Sequence, residues 1–343
     1  MNKKFSSEIS PIKTTTELIE KLTTPTPQTI KAVSQLQGGC LIIGVGGKMG
    51  PDLAVLLKKA GLSEIHGVDS FPDPAVLERL EQLGIKCMQG DLLDDLILNN
   101  LPPAPNIFLL AGYKFGTTGN EPLLWAVNAE LPAKIIRRFR RANIIYLSSG
   151  NVYPFTPVNQ NGSKEIDPVE PVGEYAQSRL AGERLIQYYS KKRETPVVIV
   201  RLFYATELRY GIILDIAQKI KNRQPIDLSM GYVNQIWQAD AINYLAQLFP
   251  LCQTPPTIIN LTGPKLSIRT IATQLSHYLK IDPILVNAEK ETALLGDTSR
   301  LVKQFGPPLI SPEEIIQWVV WWVQHDGFTF NKPTKYERRD GQF

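Results

Sequence analysis

The chain has 343 residues, 43% of them hydrophobic and 20% charged, a balance typical of a soluble globular protein with a sizeable core. The net charge of +4 is small and the basic residues are spread along the chain, which argues against a nucleic-acid-binding protein. The three cysteines and three histidines show no ligand-like spacing, so neither a disulfide framework nor a metal site is predicted. The start MNKK precedes polar residues, and no apolar run is long enough to span a bilayer. We therefore expect a cytoplasmic protein without membrane contact.

Residues 1–38 precede the first predicted strand and contain two short helical patterns, separated by a break at Pro25 and Pro27. Neither pattern contains residues suited to catalysis. We interpret this segment as a helical extension packed on the following domain.

Residues 40–69 predict a strand, a glycine turn, a helix and a second strand that ends at Asp69. Such a turn lets the backbone bend tightly and lets a pyrophosphate approach the amides at the helix N-terminus. The carboxylate of Asp69 would accept hydrogen bonds from an adenosine ribose and would repel a 2′-phosphate, so NAD is expected rather than NADP. The residues of the turn predicted to bind the cofactor are Gly44, Gly47, Lys48, Met49 and Gly50.

Strands and helices continue to alternate after Asp69, which predicts a parallel, doubly wound sheet. The expected elements are a helix at 75–83, a strand at 86–89, a turn at 90–92, a strand at 106–110, a helix at 121–140 and a strand at 143–147. The glycine-rich loop 113–120 leaves the carboxyl end of a strand, where ligands bind in such sheets. Two interpretations of this loop are equally good: it forms part of a ligand site, or it only connects the strand to the next helix.

Several motifs occur in the order found in one family. The chain resembles the extended short-chain dehydrogenases/reductases of the NAD-dependent epimerase/dehydratase family over residues 39–325. The markers are the glycine turn, Asp69, GDL at 90–92, Asn128, SSGNVY at 148–153, YAQSRLAGE at 175–183, Asp240, NLTG at 260–263 and DTSR at 297–300. The resemblance implies further cofactor contacts at Asp91, Leu92, Ala111, Gly112 and Asn128.

The resemblance also implies an α/β architecture in which a Rossmann-type domain is joined to a smaller C-terminal substrate-binding α/β domain. The first would span 39–202, with 235–262 returning to it, and the second would combine 203–234 with 263–327. A tail, 328–343, follows a helix that starts at Pro312 with a capping box. The tryptophans of that helix are interpreted as a homodimer contact or as packing under the tail, and the order of the tail is left open.

The catalytic residues implied are Ser149, Tyr175 and Arg179. Tyr175 and Arg179 are four residues apart on a predicted helix and so share one face, and Ser149 ends a strand. An isolated phenol has a pKa of about 10 and needs a nearby cation to exchange protons at neutral pH. Tyr175 would be the acid/base and Ser149 would polarise the substrate oxygen, while Arg179 would favour the ionised phenol and hold the nicotinamide ribose.

Arg179 stands where the family pattern has lysine. An arginine keeps the charge but does not lose its proton in a protein, so it cannot relay protons as lysine does. Two hypotheses follow from this difference. One is an oxidoreductase or epimerase that transfers hydride at a carbinol or keto carbon. The alternative is an NAD-binding protein with little or no turnover and a sensing or regulatory role.

Other departures from the family pattern concern the substrate. After the strand predicted at 197–202, many nucleotide-sugar members place an Asn that contacts the diphosphate, whereas this chain reads RLFY at 201–204. Those members also use an Arg where 287–296 offers only Lys290. Gly150 and Asn151 replace the Asp-Glu pair of sugar 4,6-dehydratases, which disfavours dehydration. A small sugar, polyol or sugar acid is expected, and dehydrogenation and epimerisation both remain open. The candidate substrate contacts are Lys114, Thr117, Asn151, Tyr204 and Arg209.

Overall fold

A seven-stranded parallel sheet forms the centre of the protein. The structure is a computed structural model that describes residues 10–114, 116 and 119–342, so the predicted substrate residue Thr117 lies outside the described residues. Its strands are β1 Cys40–Ile43, β2 Ile65–Asp69, β3 Lys86–Gln89, β4 Asn106–Leu109, β5 Asn143–Ser149, β7 Val197–Leu202 and β11 Thr257–Leu261. Across the sheet they lie in the order β11-β7-β5-β4-β1-β2-β3. The predicted Rossmann-type α/β sheet is confirmed.

Helices cover both faces of this sheet, which explains why strands at its centre are buried along their whole length. All four residues of β1 are buried, and so are all four of β4. The helices of the first half are α1 Thr15–Leu22, α2 Pro27–Ser34, α3 Gly50–Lys59, α4 Pro74–Gln82, α5 Asp95–Asn100, α6 Glu121–Trp125, α7 Leu131–Arg138 and α8 Gly173–Arg193.

The helix predicted at 121–140 is interrupted and ends at Arg138. A π-helical turn, Ala126–Glu130, separates α6 from α7. Pro132 lacks the N–H group that would bond to the carbonyl of Asn128 in a continuous α-helix. The Asn128 carbonyl instead accepts a hydrogen bond from the Tyr146 hydroxyl at 3.4 Å. The interruption therefore links Asn128 to β5.

The second half of the chain builds its own apolar core beside three small sheets. Those sheets join β12-β10-β8, β13-β9 and β14-β6. Their strands are β6 Thr156–Pro157, β8 Tyr204–Thr206, β9 Pro225–Asp227, β10 Tyr232–Trp237, β12 Lys265–Ser267, β13 Ile284–Val286 and β14 Thr292–Ala293. The helices are α9 Ile212–Lys221, α10 Gln238–Ala246, α11 Ile268–Leu279, α12 Ser299–Phe305 and α13 Pro312–Gln324.

Helix α13 packs into this second core and lies under the tail. Trp318 and Trp322 are 3% and 2% exposed, and the Trp322 indole donates to the Phe328 carbonyl at 3.0 Å. Ser311 and Glu314 form the predicted capping box. Leu18 of the N-terminal helix α1 lies in the second core. Within the described residues, no helix has the length and apolar character needed to cross a bilayer.

Candidate active site

Two cavities lie along the carboxyl ends of the central strands. One lies between the glycine turn, Asp69 and the turn after β3, and the predicted cofactor residues Asp91, Leu92, Ala111 and Gly112 line it. The other contains Ser149, Tyr175 and Arg179. Both cavities are lined by Gly44, Gly47, Lys48, Leu110 and Gly112. The two therefore form one groove that runs from Asp69 to Tyr175.

The glycine turn has a conformation that only glycine adopts without strain. Gly44 has a φ of +88°, and a Cβ at this position would lie 2.5 Å from the Ala111 nitrogen. The amide of Gly46 donates to the Asp69 carboxylate at 3.0 Å, which fixes the turn against the end of β2. Gly47 borders both cavities. Bare backbone beside a carboxylate at a helix N-terminus fits the pyrophosphate and ribose of a dinucleotide.

Lys48 connects the glycine turn to the second half of the chain, a role that the sequence did not reveal. Its ammonium donates to the Ala205 carbonyl at 2.7 Å and lies 3.9 Å from the centre of the Tyr210 ring. Burial lowers the pKa of Lys48 to about 7, although the charge of Glu207 acts in the opposite direction. Lys48 therefore borders the cofactor groove while it bonds across to β8.

Ser149 ends β5 and caps the short 3-10 turn that follows it. Its hydroxyl accepts from the Asn151 amide at 3.2 Å and donates to the Asn151 side-chain carbonyl at 3.0 Å. Tyr175 lies in the first turns of α8 and borders the same cavity as Ser149. The structure thus brings together the serine and the phenol that sequence analysis assigned to catalysis.

Arg179 lines the same cavity as these two groups and is only 3% exposed. Its guanidinium donates to the carbonyls of Ala111, at 3.3 Å, and of Leu147, so that it joins the ends of β4 and β5. A Cβ on Gly112 would lie 2.7 Å from the same guanidinium, so a side chain there would displace it. The predicted action of Arg179 on Tyr175 stays a prediction.

Asn128 does not line the groove, but its side chain bonds to residues next to it. Its side-chain oxygen accepts from the Tyr113 amide at 2.9 Å and from Arg179 at 3.3 Å. Its side-chain nitrogen donates to the Tyr113 carbonyl at 2.9 Å and to Ser178 at 3.1 Å. Asn128 therefore holds the loop that leaves β4 against α8.

A buried ion pair supports the floor of the site, and sequence analysis missed it. Arg201 donates to Glu183 at 2.7 Å, and the hydroxyl of Ser148 donates to the other carboxylate oxygen at 2.6 Å. Both charged side chains are almost fully buried, with 2% and 0% exposure. The available signal was a charged residue inside the apolar strand β7 and another on α8, four residues after Arg179.

The remaining predicted substrate residues are distributed over three places. Lys114 and Tyr204 line the cavity that contains Ser149 and Tyr175, and Asn151 lines a smaller neighbouring one. Arg209 does not line the Ser149–Tyr175 cavity; its guanidinium bonds to Glu207 at 3.0 Å and lies 4.8 Å from the centre of the Phe330 ring. Its neighbour Tyr210 lines the Ser149–Tyr175 cavity instead.

The parallel sheet carries a glycine turn without side chains, a carboxylate at the end of β2, and a serine that shares a cavity with a tyrosine of α8. These features together define a dinucleotide-binding α/β protein of the short-chain dehydrogenase/reductase type. The sequence profile of the NAD dependent epimerase/dehydratase family matches residues 40–226, and the chain belongs to this family.

Solved structures with the same fold cover most of the chain. UDP-glucuronic acid 4-epimerase from Bacillus cereus, in complex with NAD, is 17% identical and aligns over 84% of this chain and 99% of its own, with a TM-score of 0.69. DesIV, a dTDP-glucose 4,6-dehydratase from Streptomyces venezuelae, is 16% identical over 85% and 98%, with a TM-score of 0.72. Pal from Bacillus thuringiensis is 17% identical over 84% and 99%, with a TM-score of 0.71. No curated protein sequence matches the chain.

Proposed function

We propose that the protein binds NAD along the groove and catalyses hydride transfer at a carbinol or keto carbon of a small sugar, polyol or sugar acid. The observation that carries this proposal is the continuity of the groove, since one set of residues borders both the glycine turn and the Ser149–Tyr175 cavity. The proposal is also supported by family membership and by relatives of the same fold that were crystallised with NAD.

The residues of the first cavity fit each part of the cofactor. The glycine turn and the N-terminus of α3 would hold the pyrophosphate, and Asp69 would bind the adenosine ribose. Asp91, Leu92 and Ala111 would border the adenosine end of the groove. When bound, the nicotinamide supplies the acceptor or the donor for a hydride.

The protein's own side chains handle the proton. In the oxidising direction the Tyr175 oxygen takes the proton of the substrate hydroxyl as the hydride leaves the same carbon, which gives a carbonyl. Ser149 hydrogen-bonds the substrate oxygen and so fixes its position. Arg179 contributes a positive charge in the same cavity as both groups and holds the ends of β4 and β5. In the reducing direction Tyr175 returns the proton.

The chemistry around Ser149 supports a substrate that keeps its hydroxyl groups. Gly150 and Asn151 follow the serine, and neither supplies a carboxylate to eliminate water. Release of the keto compound would make the protein a dehydrogenase, whereas reduction from the opposite face would make it an epimerase. Product analysis separates the two, because only the dehydrogenase accumulates NADH.

Replacing Tyr175 with Phe tests this proposal. With the purified protein, NAD and a panel of sugars, polyols and sugar acids, we expect turnover in the wild type and a loss of about a thousandfold in Tyr175→Phe, because the proton acceptor is gone. Calorimetric titration should show NAD binding unchanged in the variant. Tyr188→Phe, on the exposed side of the same helix, serves as the control and should keep full activity. Turnover that survives in Tyr175→Phe would contradict the assignment.

A binding protein with little turnover is the second candidate function. The observation that favours it is that the Arg179 guanidinium donates hydrogen bonds to backbone carbonyls. For this candidate we expect the calorimetric signal of NAD binding without consumption of any compound in the panel.

A further inference from the structure

The side chain of Lys48 lies where the two cavities of the groove meet. Lys48 belongs to the glycine turn and lines both cavities. Its ammonium reaches the second half of the chain, where it donates to the Ala205 carbonyl at 2.7 Å and lies 3.9 Å from the centre of the Tyr210 ring. Ala205 and Tyr210 line the Ser149–Tyr175 cavity. One side chain therefore joins the proposed cofactor site to the proposed substrate site.

The partner of Lys48 is a compact segment, residues 204–210. It begins with β8, which pairs with β10, and continues into a turn in which the Glu207 amide donates to the Tyr210 carbonyl at 2.9 Å. The Glu207 carboxylate accepts from the Arg209 amide at 2.8 Å, which closes the turn further. Lys48 contacts both the strand and the turn of this segment. The residues of the segment that line the Ser149–Tyr175 cavity are Tyr204, Ala205 and Tyr210.

The ammonium of Lys48 can bond to an anion without leaving Ala205. An ammonium has three N–H donors, and the bond to the Ala205 carbonyl uses one of them. The pyrophosphate of a dinucleotide would rest on the glycine turn that carries Lys48. It also lies between the adenosine and the nicotinamide, just as Lys48 lies between the two cavities. No carboxylate from the described residues lines the Ser149–Tyr175 cavity, so a phosphate oxygen on that side meets no negative side chain.

Burial keeps Lys48 only partly charged in the protein without an anion. It lowers the pKa of Lys48 to about 7, against the opposing charge of Glu207. The other charged groups that face Lys48 are Arg209, Asp52 and Asp215. About half of the Lys48 side chains therefore carry the proton at about pH 7. A phosphate beside the ammonium favours its charged form, so an anion that binds there takes up a proton.

We propose that Lys48 bonds to the pyrophosphate of NAD and to the 204–210 segment at the same time, so that bound NAD fixes one wall of the substrate cavity. This inference rests on the NAD-binding part of the proposed function and adds a residue that couples the two sites. Lys48 is a positioning residue for the substrate cavity in this arrangement and takes no part in the proton transfer from substrate. Substrate then binds more tightly to the NAD complex than to the free protein.

Calorimetric titration of NAD into the full-length protein tests the contact and the proton together. The titrations are made at about pH 7 in buffers of different ionisation enthalpy, and we expect the wild type to take up roughly half a proton. Lys48→Met should bind NAD about tenfold more weakly and take up no proton, because the ammonium is gone. Lys48→Arg keeps a charge that does not titrate. It should bind NAD nearly as tightly as the wild type, again without proton uptake.

Amide hydrogen exchange measures the effect on the wall of the substrate cavity without a substrate. Saturating NAD should slow exchange in residues 204–210 about tenfold in the wild type and in Lys48→Arg, but not in Lys48→Met. Lys58→Met is the matched control, since it removes an exposed lysine from the last turn of α3, the helix that follows the glycine turn. It should match the wild type in both experiments.

Two results would overturn the inference directly: NAD affinity and proton uptake in Lys48→Met equal to those of the wild type, or equal slowing of exchange at 204–210 in that variant. Weaker NAD binding in Lys48→Met without any proton uptake by the wild type would assign Lys48 a structural role alone, and this also overturns it. The inference thus fails while NAD still binds. The proposed function fails when the wild type binds no NAD or transfers hydride from no compound in the panel, so the two failures are distinguishable.

Discussion

The glycine turn, residues 44–50, lines the groove, whereas the C-terminal tail, residues 328–342, packs across the second half of the protein, and the two are held in different ways. The turn is fixed by backbone geometry and by neighbours in adjacent strands, such as the Gly44 amide bonded to the Val68 carbonyl at 2.9 Å. The tail is anchored by side chains that bond to distant residues, Thr334 to Asp215 and Arg339 to Thr292. A segment with local constraints can be recognised by motif, whereas one with long-range anchors cannot.

The largest effect is expected at the turn. Gly44→Ala combines a positive φ with a Cβ placed 2.5 Å from the Ala111 backbone, so we expect a loss of about 4 kcal/mol in the free energy of unfolding. Gly61→Ala is the control, since Gly61 has a φ of +98° but no atom within 4 Å of the added Cβ. It should lose only about 1 kcal/mol, measured by chemical denaturation. Equal losses in the two variants would show that the contact between the added Cβ and the Ala111 backbone does not contribute to the loss of stability.

A smaller effect is expected at the anchor of the tail. Arg339→Ala removes two hydrogen bonds to Thr292 and the stacking on Phe155, whose ring centre is 4.1 Å from the guanidinium, so we expect a loss of about 2 kcal/mol. The neighbouring Arg338→Ala should cost almost nothing, because the Arg338 side chain is exposed and, among the described residues, forms its hydrogen bonds with Asp340 and Gln342 of the tail. Limited proteolysis should then cut the tail faster in Arg339→Ala alone. An Arg339→Ala protein as stable as the wild type would mean that the tail is held elsewhere.

Much of the sheet could be predicted from the sequence because its central strands are mainly apolar and are bounded by glycine, proline and polar residues. The second strand ends at Asp69 as predicted, and the edge strand predicted at 86–89 has the observed bounds. The interruption of the helix at 126–130 was not predicted, since Pro132 in a helical pattern indicates a break but not a π-helical turn. The path of the tail was not predictable either, as nothing near Arg339 in the sequence points to Thr292.

The candidate site likewise contains residues that could be predicted from the sequence and residues that could not. Ser149 and Tyr175 could be placed in one cavity from strand ends and helix spacing, because both belong to regular elements of a recognised motif. The acceptors of Arg179 are carbonyls at the ends of two strands, and no residue type encodes a carbonyl. Glu183 and Arg201 are 18 positions apart in the chain, and only the packing of α8 on β7 brings their charges together. Residue types therefore predicted the reacting groups but not their supports.

The smallest effect concerns the pH dependence of the contact between the tail and α9. Burial raises the pKa of Asp215 to about 6, although the bonds from Thr334 act in the opposite direction. Because the pKa in the folded protein lies above that in the unfolded chain, the stability gained from protonation is present in acid and is lost as the pH rises through about 6.

Asparagine keeps an acceptor for Thr334 but does not ionise, so Asp215→Asn should match the wild type in unfolding free energy near about pH 4 and exceed it by about 1 kcal/mol near about pH 7. The charges that face Asp215, Glu337 and Lys219, are present in both proteins. Asp326→Asn supplies a control of opposite sign, since hydrogen bonding to Lys221 lowers the pKa of Asp326 and its contribution is lost in acid. If the two substitutions shift stability with pH in the same direction, Asp215 is not buried under the tail as the structure shows.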